Sequence, residues 1–283
     1  MSGDRAPLGE HTAHAGLVLP RVGLGTYALR GQEGADAVAT ALRNGYRLLD
    51  SAFNYENEAA VGAGVRESGV DRAEVVVTSK LAGRHHGAEA ARTAIEESVL
   101  RMGLGHIDLL LIHWPNPGRG LYVEAWKALI DAKDRGLVRH IGVSNFLPEH
   151  LQEVEDATGV RPEVNQIELH PHFPQVEALR LHREKGIITQ AWSPIGRAGD
   201  VLAEPVVRDV AAAHGITPTQ AVLAWHVARG ALPLPKSADA HRQAENLASA
   251  QVVLTADEVT AVTALGRTDG RLKAQDPAVY EEF

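Results

Sequence analysis

The fold of this chain is decided by the stretch VVVTSKLAGRHHGAEAARTAIEESVLRMGLGHIDLLLIH, residues 75–113. A β-rich apolar run ends at Lys80, an amphipathic stretch follows at residues 88–102, and a second apolar run ends at His113. Short β-branched runs indicate strands, whereas apolar residues that recur every three to four positions indicate a helix. Gly103 stands where helices commonly end. The stretch therefore predicts a strand, a helix and a second strand.

The same alternation continues from about residue 22 to about residue 247. Strands are predicted at residues 22–26, 47–50, 75–80, 107–113, 138–144, 163–167, 187–191 and 232–234. Helices are predicted at residues 34–44, 56–67, 88–102, 123–135, 148–157, 175–185, 204–214, 217–229 and 240–247. Parallel strands that are each followed by a helix close into an α/β barrel, so we expect a (β/α)8 TIM barrel. A short hairpin around Val18 is expected beneath the barrel, and the tail after Gly266 is expected to lie over its top.

Composition limits the classes of protein to consider. The length of 283 residues and a hydrophobic content of 45% fit one domain, residues 1–283, with a large core. The absence of cysteine excludes disulfides and thiolate chemistry, which favours the cytoplasm. No apolar run is long enough for a membrane span or a signal peptide. A formal charge of -8 argues against a nucleic-acid surface. We therefore expect a small-molecule partner, with neither nucleic acid nor membrane.

Four residues indicate the chemistry: Asp50, Tyr55, Lys80 and His113. Together they can give a proton to a carbonyl oxygen while a hydride arrives at the carbon. A phenol has a pKa of about 10, and the Lys80 ammonium is expected to lower the pKa of Tyr55 by several units. Asp50 would keep the lysine charged, and His113 would hydrogen-bond the carbonyl oxygen. The four residues predict a reductase.

The predicted strands provide a consistency test. Barrel enzymes carry their chemistry at the carboxyl ends of the strands and in the loops that follow. Asp50, Lys80 and His113 each close a predicted strand, and Tyr55 lies in the loop after one. Further polar or aromatic residues occupy equivalent positions: Ser144, Asn145, Gln166, Trp192, Ser193, Lys236 and Ser237. We therefore expect these side chains to meet at one end of the barrel.

These segments resemble the aldo-keto reductase superfamily. The resemblance rests on residues 22–26, 50–62, 79–81, 110–115, 136–146, 164–171, 192–194 and 234–246. The composition is similar to that of small prokaryotic members, the type of the 2,5-diketo-D-gluconate reductases, which act on small ketones and aldehydes. The resemblance implies a monomer that reduces diketones, keto acids and aromatic aldehydes. It also implies that Tyr55 is the general acid, that Lys80 and Asp50 tune it, and that His113 orients the carbonyl.

The resemblance further implies binding sites for NADPH and substrate, and no metal. Ser144, Asn145 and Gln166 match the family's carboxamide pocket, and Trp192 matches the aromatic residue that stacks on nicotinamide. Lys236, Ser237 and Arg242 match the clamp on the ribose phosphate, with Glu245 and Asn246 on the adenine. Thr26 and Ser193 complete the cofactor set, and Tyr27, Phe53 and Trp114 would line the substrate pocket. Asp239 departs from relatives that carry basic residues in this clamp, and it weakens the expected preference for NADPH over NADH.

Two other classes stay open at this level. A metal-dependent hydrolase could use imidazole ligands from the histidine-rich segments. These segments are His11 with His14, His85 with His86, and His170 and His172 with Glu168. A cofactor-sensing subunit could retain the same site and turn over slowly. Asp50 and Lys80 alone would more often form a structural ion pair than a catalytic one, and Trp126 and Trp225 are expected to be core residues.

Overall fold

The computed structural model describes residues 10–196 and 199–282. The strands are β1 (Glu10–Thr12), β2 (Val18–Pro20), β3 (Leu24–Gly25), β4 (Leu48–Asp50), β5 (Val76–Leu81), β6 (Ile107–Ile112), β7 (Val138–Ser144), β8 (Val164–Glu168), β9 (Ile188–Trp192) and β10 (Ala231–Pro233). The helices are α1 (Gly31–Arg43), α2 (Glu58–Ser68), α3 (Ala88–Met102), α4 (Tyr122–Asp134), α5 (Pro148–Thr158), α6 (Val176–Lys185), α7 (Pro205–His214), α8 (Pro218–Ala228), α9 (Ala240–Ala248) and α10 (Ala256–Thr263).

Strands β3 to β10 form a parallel sheet in which each strand pairs with its neighbour in sequence. The two ends of this sheet meet. The Gly23 amide donates to the Pro233 carbonyl and the Gly25 amide donates to the Pro235 carbonyl, both at 3.1 Å. A Cβ at Gly25 would lie 2.7 Å from the Leu234 carbonyl oxygen, so this close approach requires glycine. The prediction of a (β/α)8 barrel is confirmed.

The predicted hairpin is present beneath the barrel. Strands β1 and β2 pair antiparallel. Leu17, just before β2, and Leu19, within β2, are buried. They belong to an apolar cluster that includes Leu48, Val164 and Ile188, which lie at the beginnings of β4, β8 and β9. The hairpin therefore closes the amino-terminal end of the barrel. The residues at the carboxyl ends of the strands lie at the opposite end of the barrel.

Several element boundaries differ from the prediction. Strand β3 has two residues instead of the five predicted at 22–26. The segment that faces it where the barrel closes contains Pro233 and Pro235, which have no amide hydrogen to donate. Helix α1 begins at Gly31 rather than at residue 34. Helix α10 was not predicted, although Thr255 and Glu258 form a capping box at its start.

Trp126 and Trp225 are core residues, as the sequence predicted. Both side chains are fully buried. The Trp126 indole donates to the Val160 carbonyl, and the Trp225 indole donates to the Thr263 hydroxyl, each at 3.0 Å. These bonds satisfy the polar atom of each ring, as burial of an indole requires. Within the described residues, no helix is both long and apolar enough to cross a membrane.

Helix α2 approaches helix α3 closely at Gly62. A Cβ at this position would lie 1.8 Å from the Met102 carbonyl oxygen, which ends α3. The neighbouring atoms belong to the backbone and cannot move aside as a flexible side chain could. Gly62 therefore fixes the distance between two of the outer helices.

Gly62→Ala is expected to destabilise the fold by about 3 kcal/mol, because overpacking against backbone outweighs the roughly 1 kcal/mol that alanine gains over glycine in a helix. Urea denaturation measures the free energy of unfolding. Ala59→Ser, which adds one atom on the exposed face of the same helix, should change that free energy by no more than about 0.5 kcal/mol. Equal stability of Gly62→Ala and wild type would contradict the close packing of the two helices.

Candidate active site

A buried ion pair lies at the carboxyl ends of β4 and β5. The Lys80 ammonium donates to Asp50 Oδ2 and to the Ser51 carbonyl, each at 2.8 Å. The register explains the contact: Asp50 lies opposite Thr78, and Lys80, two residues further along β5, points to the same face. The side chain of Lys80 is 0% exposed and that of Asp50 is 6% exposed. The predicted pair is formed.

One amide from across the barrel holds the second oxygen of Asp50. Gln166 at β8 donates from Nε2 to Asp50 Oδ1 at 2.8 Å and to Gln190 Oε1 on β9 at 2.9 Å. Burial alone would lower the pKa of Lys80, but the Asp50 charge and the nearby Tyr55 raise it above its usual value. Lys80 therefore stays a cation in a dry environment.

Tyr55 lies beside this cation, in the 3₁₀ turn Phe53–Tyr55 that follows β4. Its hydroxyl is 3.5 Å from Lys80 Nζ, and its ring makes edge contacts with Tyr27 and His113 at centroid distances of 5.2 and 5.9 Å. Glu56 ends the turn with a left-handed backbone, φ 54°. The structure therefore brings all four predicted catalytic residues to one place.

The expected direction of the Tyr55 pKa shift is wrong for this structure. Burial is the largest effect and raises the pKa of Tyr55, Lys80 lowers it, and Asp50 raises it again, so that the pKa lies above its usual value. The prediction from sequence included the charge of Lys80 but not the loss of water around the phenol. The consequence is that Tyr55 keeps its proton at neutral pH and has it available to give.

His113 follows β6 and contacts a residue that the sequence did not reveal. Its Nδ1 atom lies 2.7 Å from Oε1 of Glu282, in the carboxyl-terminal tail. Burial raises the pKa of Glu282, but His113 and hydrogen bonds from Gly83 and Asn54 lower it to below its usual range. No motif spacing links residues so far apart in the chain. The only signal was the expectation that the tail lies over the barrel, and this expectation is confirmed.

The predicted carboxamide set also meets at the strand ends. Asn145 donates from Nδ2 to the His113 carbonyl and to the Ser144 hydroxyl, each at 3.0 Å, and its Oδ1 accepts from the Trp192 indole at 2.7 Å. The backbone of Asn145 is left-handed, with φ 62°. Because Gln166 uses its amide hydrogens on Asp50 and Gln190, its Oε1 is the atom left to accept from a ligand amide.

These residues surround a cavity of about 560 Å³ at the carboxyl-terminal mouth of the barrel. Its lining includes Thr26, Tyr27, Asp50, Tyr55, His113, Trp114, Ser144, Asn145, Gln166, Trp192, Ser193 and Lys236, and from the tail Lys273, Gln275, Tyr280 and Glu282. Tyr27 is 62% exposed at the rim, whereas the Trp114 ring is buried against Tyr280 at a centroid distance of 4.5 Å. A smaller cavity of about 370 Å³ beside α6 shares only Asn145 with this one.

Phe53 is a correction to the predicted substrate pocket. It is not among the residues that line the mouth cavity. Its ring packs between the Arg84 and Arg101 guanidinium groups, at 4.9 and 4.5 Å from the centroid, and against His85. Because side chains of a 3₁₀ turn point in different directions about its axis, Phe53 faces outward while Tyr55 faces the cavity.

The predicted phosphate and adenine clamp lies at the start of α9. Lys236 lines the mouth cavity, whereas Ser237, Arg242, Glu245 and Asn246 lie beyond it. Lys236 and Arg242 are exposed, Glu245 is half-buried, and Ser237 and Asn246 are buried. Asp239 caps α9 by accepting from the Arg242 backbone amide at 2.8 Å. This capping role explains why an acidic residue stands at this position. Its Oδ1 lies 3.9 Å from the Arg242 guanidinium.

The histidine-rich segments considered for a metal have separate partners. His170 Nε2 lies 3.0 Å from Glu168 Oε1, and His172 Nε2 lies 2.8 Å from Glu204 Oε1. Across residues 10–196 and 199–282, no group of three or more histidine, aspartate or glutamate side chains is placed to hold a metal ion.

Comparison with known proteins identifies the class of the chain. The model of the aldo/keto reductase family matches residues 21–267, so the chain belongs to that family. The barrel with these residues at its mouth is therefore an oxidoreductase. It is 52% identical over 261 residues to 2,5-diketo-D-gluconic acid reductase B of Corynebacterium sp., covering 92% of this chain and 94% of that protein. It is 44% identical over 244 residues to morphine 6-dehydrogenase of Pseudomonas putida, covering 82% of each.

Comparison with solved structures supports the same family. The chain is similar to a mutant of Gox0644 in complex with NADPH, with a TM-score of 0.92, 41% identity, and coverage of 98% of this chain and 100% of that chain. It is also similar to a Bombyx mori aldo-keto reductase in complex with NADP, with a TM-score of 0.89, 30% identity, and coverage of 98% and 99%. Family membership decides for an oxidoreductase and against the metal-dependent hydrolase.

Asp50→Asn is expected to lower the free energy of unfolding by about 3 kcal/mol, because the buried Lys80 ammonium loses its counter-charge while the shape of the side chain is kept. Asp131→Asn is the matched control, since Asp131 pairs with Arg135 at 3.4 Å on the exposed surface and should contribute at most about 1 kcal/mol. Urea denaturation of both variants tests the difference. Equal effects would show that Lys80 does not depend on Asp50.

Proposed function

We propose that this protein is an NADPH-dependent reductase of small aldehydes and ketones in which Tyr55 gives the proton to the carbonyl oxygen. The observation that carries the proposal is the placement of the Tyr55 hydroxyl, 3.5 Å from an ammonium that is locked to Asp50 and in the same cavity as His113. A proton donor, a fixed cation and an imidazole around one cavity are what carbonyl reduction needs.

The side chains at the mouth fit the cofactor. Gln166 Oε1 and the Ser144–Asn145 pair face the cavity with groups that recognise an amide, and the half-buried Trp192 ring offers a stacking surface. Lys236 and Arg242 are exposed cations at the start of a helix, which suits a phosphate. Thr26, Ser193, Ser237, Glu245 and Asn246 complete the cofactor-binding set. When bound, NADPH supplies the hydride.

The proton comes from Tyr55. The raised pKa of Tyr55, caused by burial, keeps the phenol protonated at neutral pH. As the proton leaves, negative charge develops on the Tyr55 oxygen, and the Lys80 ammonium beside it stabilises that charge. His113 binds the carbonyl oxygen from the other side. Asp50 contributes indirectly by holding Lys80.

The size and lining of the mouth favour small substrates. The cavity of about 560 Å³ must also admit the nicotinamide end of the cofactor, so the remaining space fits a compact carbonyl compound. Tyr27 and Trp114 give it an aromatic wall. The relatives named for a diketo acid and for morphine support a substrate range of diketones, keto acids and aromatic carbonyl compounds.

Tyr55→Phe should lower kcat by about 100-fold or more, the contribution typical of a general acid, while Kd for NADPH changes less than about 2-fold. The loss of NADPH absorbance with carbonyl substrates gives kcat, and fluorescence titration gives Kd. Tyr122→Phe is the matched control, because its hydroxyl bonds to Glu153 away from the cavity. Unchanged turnover in Tyr55→Phe would contradict the assigned role.

Arg242→Ala should weaken NADPH binding by about 10- to 100-fold and leave NADH binding nearly unchanged, because a charge-assisted bond to the ribose phosphate is lost. Fluorescence titration with each cofactor measures both constants. Arg180→Ala removes an exposed arginine from α6 that pairs with Glu177 and Glu184, and it serves as the control. Equal losses for the two cofactors would remove Arg242 from the phosphate site.

We also propose that the chain acts as one domain and as a monomer in the cytoplasm, without nucleic acid. The sequence supports this through its length, its lack of cysteine and its net charge of -8. Size-exclusion chromatography with light scattering tests the monomer: a mass near 30.3 kDa is expected, and twice that mass would contradict it.

A further inference from the structure

Glu282 is held in place by four hydrogen bonds. Asn54 donates from Nδ2 to its Oε1 at 2.8 Å, and the Gly83 amide donates to its Oε2 at 3.0 Å. Its main chain forms two bonds with the Asn116 side chain, which donates to the Glu282 carbonyl at 2.7 Å and accepts from its amide at 3.2 Å. The carboxylate is 9% exposed. Its position is therefore set by residues of three different loops.

The fixed carboxylate faces the His113 ring. Nδ1 of His113 lies 2.7 Å from Oε1 of Glu282, and among the described residues this nitrogen makes no hydrogen bond to any other group. A nitrogen lone pair so close to a carboxylate oxygen would be repelled. Nδ1 therefore carries a proton. The other ring nitrogen, Nε2, is then an acceptor in a neutral ring and donates to a carbonyl oxygen only in the doubly protonated ring.

Of the carboxylates near this site, Glu282 is the one in contact with the His113 ring. Tyr55 contacts the ring from the barrel, with Lys80 beside the Tyr55 hydroxyl, and the Lys80 charge is already paired with Asp50. From the turn after β5 and the loop after β6 come His85, His86 and Arg119. His86 is fully buried, without a hydrogen-bond partner among the described residues, and burial lowers its pKa to about 4, so it is neutral.

We propose that Glu282 is a positioning residue for carbonyl reduction, which fixes the His113 ring through Nδ1 and stabilises the doubly protonated ring that can donate to the carbonyl oxygen. The inference rests on the proposed function of the site. The closest physical parallel is the carboxylate of a catalytic triad, which orients an imidazole and stabilises its charged form. The carboxyl-terminal tail thus supplies a charge to the active site in addition to covering it.

Glu282→Gln tests the proposal because it removes the charge and keeps the shape. The two bonds between the Asn116 side chain and the Glu282 main chain do not involve the Glu282 side chain, so they keep the tail in place. We expect kcat/KM for a small ketone to fall by about 10-fold or more, while Kd for NADPH stays within about 2-fold of wild type. Glu282→Asp, which keeps the charge on a shorter side chain, should recover part of the loss.

A double-mutant cycle with His113→Ala separates positioning from a purely structural role. If Glu282 acts through His113, Glu282→Gln should cause no further loss in the His113→Ala background. Glu281→Gln is the control, because its carboxylate accepts from the Gly118 amide at 2.6 Å instead. This variant should keep wild-type kinetics.

Two results would overturn the inference. Wild-type kcat/KM in Glu282→Gln would show that the charge is not used. A loss that adds fully to that of His113→Ala would show that the tail acts on stability or shape alone. A wild-type protein that binds NADPH but reduces no carbonyl compound would instead overturn the proposed function, and the inference with it.

Discussion

The buried ion pair between Lys80 and Asp50 is the interaction on which the rest of the site depends. Moving both charges out of water costs several kcal/mol per ion, and this cost is offset only where each charge is close to its partner and its remaining hydrogen bonds are made. The Ser51 carbonyl and the Gln166 amide make those bonds. The pair thereby links β4, β5 and β8 at the barrel mouth and holds a cation beside the Tyr55 hydroxyl.

Two pairs of ionisable side chains, of different origin, face one cavity. Lys80 and Asp50 belong to adjacent strands, so this pair forms whenever the barrel closes. His113 and Glu282 are joined only when the tail lies across the mouth. In the proposed mechanism, the first pair stabilises the oxygen of Tyr55 after it gives its proton, and the second helps to bind the carbonyl oxygen. Proton donation is thus built into the barrel, whereas carbonyl binding also depends on the tail.

The sequence predicted what depends on local pattern and missed what depends on packing. Strand periodicity placed Asp50, Lys80 and His113 at strand ends, because barrel geometry brings those ends together. The predicted direction of the shift in the pKa of Tyr55 was wrong, because a sequence motif does not show that the phenol is buried. The contact of Glu282 with His113 joins residues that no local pattern relates. Helix α10 is an exception, because its capping box is a local signal that predicts the start of a helix.

The most direct test of carbonyl reduction at this site is the loss of NADPH absorbance by the wild-type protein with a panel of carbonyl compounds. The panel should contain a diketone, a methyl ketone, a sugar-derived keto acid and an aromatic aldehyde. We expect saturable turnover with at least one of them and formation of the matching alcohol. Saturable NADPH binding without turnover of any of them would contradict the proposed reductase and would favour a cofactor-sensing role for the same site.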